Sequence, residues 1–250
     1  MTPTGETMLI TGGGSGIGRE LARRFHELGS RVIIAGRRQG PLDETAAGRP
    51  GMAAYTVDLT DAEAIGEFAV RVIAAHPELN VLVNNAGVML AEDLKAPSPG
   101  LAEAEATVAT NLLAPIRLTA ALMPHLLAQP KATIVNVSSG LAFVPLVVTP
   151  TYSATKAAIH SYTVSLREQL RGTSVEVLEL IPPGVQTDLM PGQAENPHMM
   201  PLEDFMSETM ALFARQPTPP EICVERVGFL RQAEAQGRFD QVLAALNGHG

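Results

Sequence analysis

Thr11-Gly12-Gly13-Gly14-Ser15-Gly16-Ile17-Gly18 is the stretch that decides how this chain folds. The apolar run Met8-Leu9-Ile10 stands before it. Behind it Ile17, Leu21, Ala22, Phe25 and Leu28 recur at helical spacing. The glycines therefore lie between a buried strand and the N-terminus of a helix. Glycine lets the backbone turn with positive φ and approach a ligand closely, and the free N–H groups at a helix start favour an anion. A flexible turn would also be rich in glycine. Between this strand and this helix, the stretch reads as a seat for the pyrophosphate of a dinucleotide, lined by Gly12, Gly14, Ser15, Gly16, Ile17 and Gly18.

Outward from that loop, strands and helices alternate. Strands are expected at 7–11, 31–35, 52–57, 81–84, 132–137 and 174–180, and helices at 17–28, 41–47, 61–75, 100–128 and 151–171. This alternation predicts an α/β fold: a doubly wound, Rossmann-type parallel sheet of six main strands, covered on both faces. Pro41 opens the second helix and Gly48 to Gly51 ends it. Pro115 and Pro124 predict a kink or break within 100–128. No internal repeat or linker divides the chain, so 1–250 reads as a single domain.

Composition narrows the class. The 250 residues are 46% hydrophobic, with the apolar residues dispersed, which suits one domain with a sizeable core and argues against disorder. No apolar run is expected to span a bilayer. The first six residues lack the basic segment and apolar core of a secretory signal. The single cysteine, Cys223, excludes an internal disulfide and fits a reducing, cytoplasmic setting; it reads as a small half-buried apolar residue. A net charge of −8 argues against a nucleic-acid surface, and six scattered histidines show no metal-ligand spacing.

The chemistry-bearing run is Val137-Ser138-Ser139-Gly140, followed by Thr151-Tyr152-Ser153-Ala154-Thr155-Lys156. Tyr152 and Lys156 are four residues apart and share one helix face. A phenol is a poor acid–base catalyst at neutral pH, and a neighbouring ammonium brings its pKa toward a useful range. Ser139, arriving from the preceding strand, can hold a substrate oxygen against the phenol. Taken alone, such a Tyr/Lys pair is also common as a half-exposed helix feature.

Together these motifs make the chain similar to the short-chain dehydrogenases/reductases, from about Thr7 to Leu180. Thr11-Gly12-x-x-x-Gly16-x-Gly18 resembles that family's cofactor loop. Asp58-Leu59 resembles its adenine contact, and Asn84-Asn85-Ala86-Gly87 its fourth-strand signature. Asn111 stands at the place of the family's catalytic asparagine, and Ser139 at that of its serine, with Ser138 the lesser candidate. Pro183-Gly184-Val185 and Thr187 match the segment that meets the nicotinamide.

The resemblance implies a carbonyl reductase-like enzyme in which the cofactor carries the hydride chemistry. Tyr152 would donate the proton, Ser139 would bond the same oxygen, and Lys156 would lower the Tyr152 pKa and bond the ribose. Asn111 would hold a water that links Lys156 to solvent, unless it is only a polar residue in a helix break. Thr187 would bond the carboxamide. The second strand ends in Gly36-Arg37-Arg38 where NAD-binding folds place an acid. Arginine matches a phosphate in charge and fork geometry, so NADP(H) is expected rather than NAD(H), with Arg37 the main ligand and Arg38 auxiliary. Against this, Ser15 occupies the place of the family's other basic residue, and both arginines could be solvated loop residues.

Val88-Met89-Leu90, Leu141 to Val148 and Leu189-Met190-Pro191 are nearly all apolar, which suggests a small apolar ketone, aldehyde or alcohol as substrate. Much of 141–148 could equally be core or subunit contact. Residues 186–205, with His198-Met199-Met200, read as a lid. The C-terminus departs from the family: 221–236 and 239–246 both read as amphipathic helix, and the usual seventh strand is not expected. A homodimer through the helices at about 112–128 and 152–171 is the favoured assembly, with a tetramer as the alternative. Two other functions stay open: a dinucleotide-binding redox sensor without turnover, and alcohol oxidation as the working direction.

Overall fold

A computed structural model of the protein describes residues 1, 3–98 and 100–248; the remaining positions of the expected 1–250 domain lie outside the described residues. Strand β1 (Thr7–Thr11) and helix α1 (Gly16–Glu27) frame the glycine loop. They are followed by β2 (Arg31–Gly36), α2 (Gln39–Ala46), β3 (Ala53–Thr56), α3 (Ala62–Ala75) and β4 (Val81–Asn84). The second half runs α4 (Ala102–Val108), α5 (Ala114–Ala128), β5 (Ala132–Val137), α6 (Pro150–Gln169), β6 (Val175–Ile181), α7 (Leu202–Phe213), β7 (Glu221–Cys223), α8 (Gly228–Arg231) and α9 (Phe239–Leu246).

The strands form one parallel sheet in the order β3-β2-β1-β4-β5-β6-β7. Both faces are buried, as a parallel sheet requires. On one face Ile10, Val83 and Val135 pack with Leu21 and Phe25 of α1 and with Phe205 and Phe213 of α7. On the other, Leu9, Leu82 and Ile134 pack with Phe68 of α3 and with Leu118 and Leu122 of α5. Strand order reverses at β1, with β2 on one side and β4 on the other. Ligands bind in the crevice beyond the strand ends at such a switch point.

The structure corrects three expectations. The seventh strand exists: Leu180 pairs with Ile222 and Ile181 with Cys223. Three residues are too short for a period-2 signal, and the buried Ile222 mimics a helical position relative to Phe229, seven residues on. Within 100–128 the break is neither at Pro115, which sits at the start of α5, nor at Pro124, which lies inside it. It is a wide π-helical turn at Ala109–Leu113, carrying Asn111. Ala102–Ala128 as a whole is also long and apolar enough to cross a membrane by length and composition. Here it lies along the sheet, with Leu118, Leu122 and Leu126 in the core.

The C-terminal helices pack over the segment after β5. Val144, Ala233 and Val242 form a small core of their own, and Asn247 bonds both the Val147 N–H (2.8 Å) and the Pro145 carbonyl (3.1 Å).

Candidate active site

The glycine loop is shaped by steric necessity at two points. Gly12 has φ +67°, a backbone state that side chains oppose. Gly18, the last glycine of the loop, sits where any Cβ would lie 2.4 Å from both the Gly12 carbonyl oxygen and Asn85 Nδ2. Asn85 makes that approach useful by donating from Nδ2 to the Thr11 carbonyl (2.9 Å). Thr11 Oγ1 in turn accepts from the Asn85 and Ala86 N–H groups at 3.0 and 3.1 Å. β1 and β4 are thus laced together at the switch point. Ser15 precedes α1 without a capping side-chain hydrogen bond, and no acidic side chain lies in the first turn. The first N–H groups of α1 therefore keep the positive end of the helix dipole open to the cleft.

One end of the cleft is lined by Gly36, Arg37, Arg38, Asp58, Leu59 and Thr110. Among the described residues neither Arg37 nor Arg38 forms a salt bridge. Asp58 is held below the usual carboxylate range by hydrogen bonds from the Thr60 N–H and hydroxyl, and in smaller part by Arg37. Val57, Leu42 and Pro41 give this end an apolar wall. Thr110 went unnoticed in the sequence because a lone threonine in a helical run carries no motif.

The other end gathers Ser139, Tyr152 and Lys156 in a cavity of about 330 Å³, within the range of small-molecule sites. Ser139 ends the β5 segment, where its Oγ accepts from the Leu141 N–H (3.1 Å) and bonds the Tyr152 hydroxyl. α6 presents Tyr152 and Lys156 on its sheet-facing side, both buried. Lys156 Nζ donates to the Val137 carbonyl at 2.8 Å and stands 5.5 Å from the Tyr152 ring centre. Burial pushes Tyr152 up to about 12, with the Ser139 hydrogen bond opposing the rise. Burial lowers Lys156 to about 8, with Glu179 opposing. The expected lowering of Tyr152 is thus reversed, because desolvation of the phenolate outweighs the cation nearby.

Asn111 lies beside this group, but its amide is committed elsewhere. Oδ1 accepts from the Val88 N–H (2.9 Å) and Nδ2 donates to the Val88 carbonyl (2.8 Å). Gly87 passes between Asn111 and Lys156: a Cβ there would stand 3.3 Å from Asn111 Oδ1 and 3.8 Å from Lys156 Nζ. Asn111 therefore braces the strand-four loop that carries Ala86 and Gly87.

Pro183, Val185, Thr187, Asp188, Leu189 and Gln193 close the cavity from the β6 side. The segment after β6 is tied at its base by Met200 N–H to Gly184 (2.8 Å) and Gln186 N–H to Met200 (2.8 Å). Gln193 Nε2 reaches Val185 (2.7 Å) and Thr187 Oγ1 (3.3 Å). Gly184 leaves room for Met199, whose sulfur would lie 2.3 Å from a Cβ there. His198 does not line the cavity; its carbonyl accepts from Arg226.

Of the expected substrate walls, Val88, Met89, Leu90 and Leu189 do line the cavity. The segment 141–148 does not. Leu141, Ala142 and Pro145 to Val148 line a separate groove with Leu94 and the Ala154–Ala157 side of α6. That is the opposite face of the helix from Tyr152, in keeping with the alternative reading in which much of 141–148 is not substrate wall.

Residues 6–198 match the short chain dehydrogenase family. The chain belongs to the short-chain dehydrogenases. This dehydrogenase is 48% identical over 192 residues to the oxidoreductase DltE of Bacillus subtilis (strain 168), covering 76% of this chain and 75% of that one. It is 35% identical over 184 residues to the serine 3-dehydrogenase of Agrobacterium fabrum, covering 73% of each. A metagenomic short-chain oxidoreductase solved in complex with NADP superposes with a TM-score of 0.73 at 31% identity, over 88% of this chain and 97% of that one.

Proposed function

We propose that this short-chain dehydrogenase is an NADPH-dependent carbonyl reductase. Its substrate would be a small, largely apolar ketone or aldehyde. The observation that carries the reading is the buried Ser139–Tyr152–Lys156 group at the end of a cleft whose far end holds two arginines that form no salt bridge among the described residues. The open N-terminus of α1 and the close approach of Gly12 and Gly18 suit a pyrophosphate. Arg37 and Arg38 would take the 2′-phosphate of NADP(H), which favours it over NAD(H). Ala86 and Gly87 would flank the ribose, with Lys156 bonding its hydroxyls and Thr187 the carboxamide. When bound, the cofactor supplies the hydride.

The chain's own residues handle the proton. At neutral pH Tyr152, pushed up to about 12, carries its proton and is an acid in waiting. It donates to the carbonyl oxygen as that oxygen gains charge, while Ser139 donates a second hydrogen bond. Lys156 stabilises the phenolate left behind. Oxidation would instead need the phenol deprotonated beforehand, so the resting charges favour reduction. Met89, Leu90 and Leu189 supply apolar walls. Exposed Leu113 and Leu127 on the α5 side and Val164 on α6 support pairing of two copies through these helices.

A second reading, oxidation of a small polar alcohol, is favoured by Asp188 and Gln193 in the cavity wall and by the similarity to serine 3-dehydrogenase. The deciding experiment follows NADPH absorbance against a panel of ketones and aldehydes, and NADP+ reduction with serine and short 3-hydroxy acids. Consumption of NADPH by the carbonyls supports the first reading. NADP+ reduction with the hydroxy compounds alone replaces it with the second. Tight dinucleotide binding with neither reaction would leave a sensor.

A further inference from the structure

Beneath the floor of the catalytic cavity lies a carboxylate that none of the motifs above assigns. Glu179, on β6, is fully buried. Its Oε1 accepts from the Ser138 hydroxyl at 2.5 Å, and His160 Nδ1 stands 2.8 Å from Oε2. Ser138 is the neighbour of Ser139. His160 lies one helical turn beyond Lys156, so Tyr152, Lys156 and His160 form one row on α6. Lys156 bonds the carbonyl of Val137, the residue before Ser138 and the register partner of Leu180, itself next to Glu179.

A buried carboxylate needs partners to remain charged. The groups facing this one are Lys156 and His160 from α6, Arg231 from α8, and Cys223 and Glu221 from β7. Glu221 is itself clamped at both oxygens by Arg231, at 2.8 and 3.0 Å. Its commitment to Arg231 argues against reading His160, Glu179 and Glu221 as a metal site. Arg231 and His160 both pack on the Phe143 ring, at 4.4 and 4.8 Å, which closes the cluster from the outside. Glu179, with no exposed surface, thus places a carboxylate behind the catalytic lysine.

We propose that Glu179 is a positioning residue of the catalytic site: its carboxylate fixes the Ser138–Ser139 corner and supplies the counter-charge for the Lys156 ammonium. The same row that presents the proton donor is anchored at its next turn by the His160–Glu179 pair. Removing the charge leaves Lys156 buried against the Val137 carbonyl and the Tyr152 ring with no carboxylate facing it, and its proton is lost at lower pH. This rests on Lys156 being the cation of the site, as in the proposed function, but it does not require a known substrate.

The chain has three lysines, Lys95, Lys131 and Lys156, so ¹³C-lysine-labelled protein gives three Cε signals to follow against pH, with Lys156→Arg assigning the third. Wild-type Lys156 is expected to titrate at about 8. In Glu179→Gln, which keeps the size and an acceptor oxygen, its midpoint should fall by about one pH unit or more, a tenfold loss of proton affinity. Ser138→Ala, which removes the hydroxyl but keeps the charge, should leave the midpoint near wild type. If Glu179→Gln does not fold, Glu179→Asp against Glu179→Asn makes the same comparison at equal volume. An unmoved midpoint on loss of the charge overturns the proposal, as does an equal fall in Ser138→Ala. A shifted midpoint in a protein without carbonyl turnover would sink the proposed function and leave this inference standing. Turnover with an unmoved midpoint would do the reverse.

Discussion

Lys156→Met is expected to stabilise the protein while removing its activity, by an amount that depends on pH. The buried ammonium titrates at about 8 instead of the usual 10.5. Below the folded value it is protonated in both states, and burial of the charge then costs about 1.4 kcal/mol for each of those pKa units, or about 3 kcal/mol in all. The sign follows from proton counting. Between 8 and 10.5 the unfolded chain binds more protons than the folded one, so wild-type stability rises with pH across that window. The penalty is full below the lower value and absent above the upper. Methionine has similar reach, carries no charge and has no penalty to relieve. The advantage of Lys156→Met over wild type should therefore shrink by about 2 kcal/mol between pH 7 and about pH 9.5. The lost Lys156–Val137 hydrogen bond offsets the gain by about 1 kcal/mol at both pH values. Parallel urea unfolding of both proteins at the two pH values reads the difference, and other titrating groups cancel in it. A stability difference that does not change with pH would show that burial does not penalise the Lys156 ammonium.

Arg37→Asp should weaken NADPH binding by about tenfold to a hundredfold and NADH binding far less, since a charge-assisted hydrogen bond contributes about 1.5–3 kcal/mol; fluorescence titration with each dinucleotide checks it, and an unchanged preference would remove Arg37 from the 2′-phosphate. Gly18→Ala should lower stability by about 1–3 kcal/mol and abolish dinucleotide binding, because the new methyl meets the Gly12 carbonyl at 2.4 Å. Thermal melts with and without NADP+ would show it, and wild-type affinity in Gly18→Ala would contradict the fit of the loop.

The glycine loop and the Tyr152–Lys156 pair were legible because each is local. A run of glycines between an apolar strand and an amphipathic helix reads as a tight strand-to-helix turn, and a spacing of four on a helix fixes a shared face. What could not be read depends on contacts made across the fold. β7 is three residues long and owes its conformation to pairing with β6. The direction of the Tyr152 shift depends on how much water the fold excludes, which spacing does not report. Glu179 and His160 come from different elements and meet only when α6 lies on the sheet. The segment 141–148 is apolar, as a substrate wall would be, but apolarity does not say which side of α6 it joins.

In the proposed mechanism Tyr152 delivers the proton. The most direct test measures, in Tyr152→Phe, both NADPH affinity and the rate of NADPH consumption with the best carbonyl found for wild type. Affinity within a factor of about three of wild type, with the rate lowered by at least about a hundredfold, is the predicted outcome. A Tyr152→Phe protein that binds NADPH and turns over near the wild-type rate would show that another group delivers the proton.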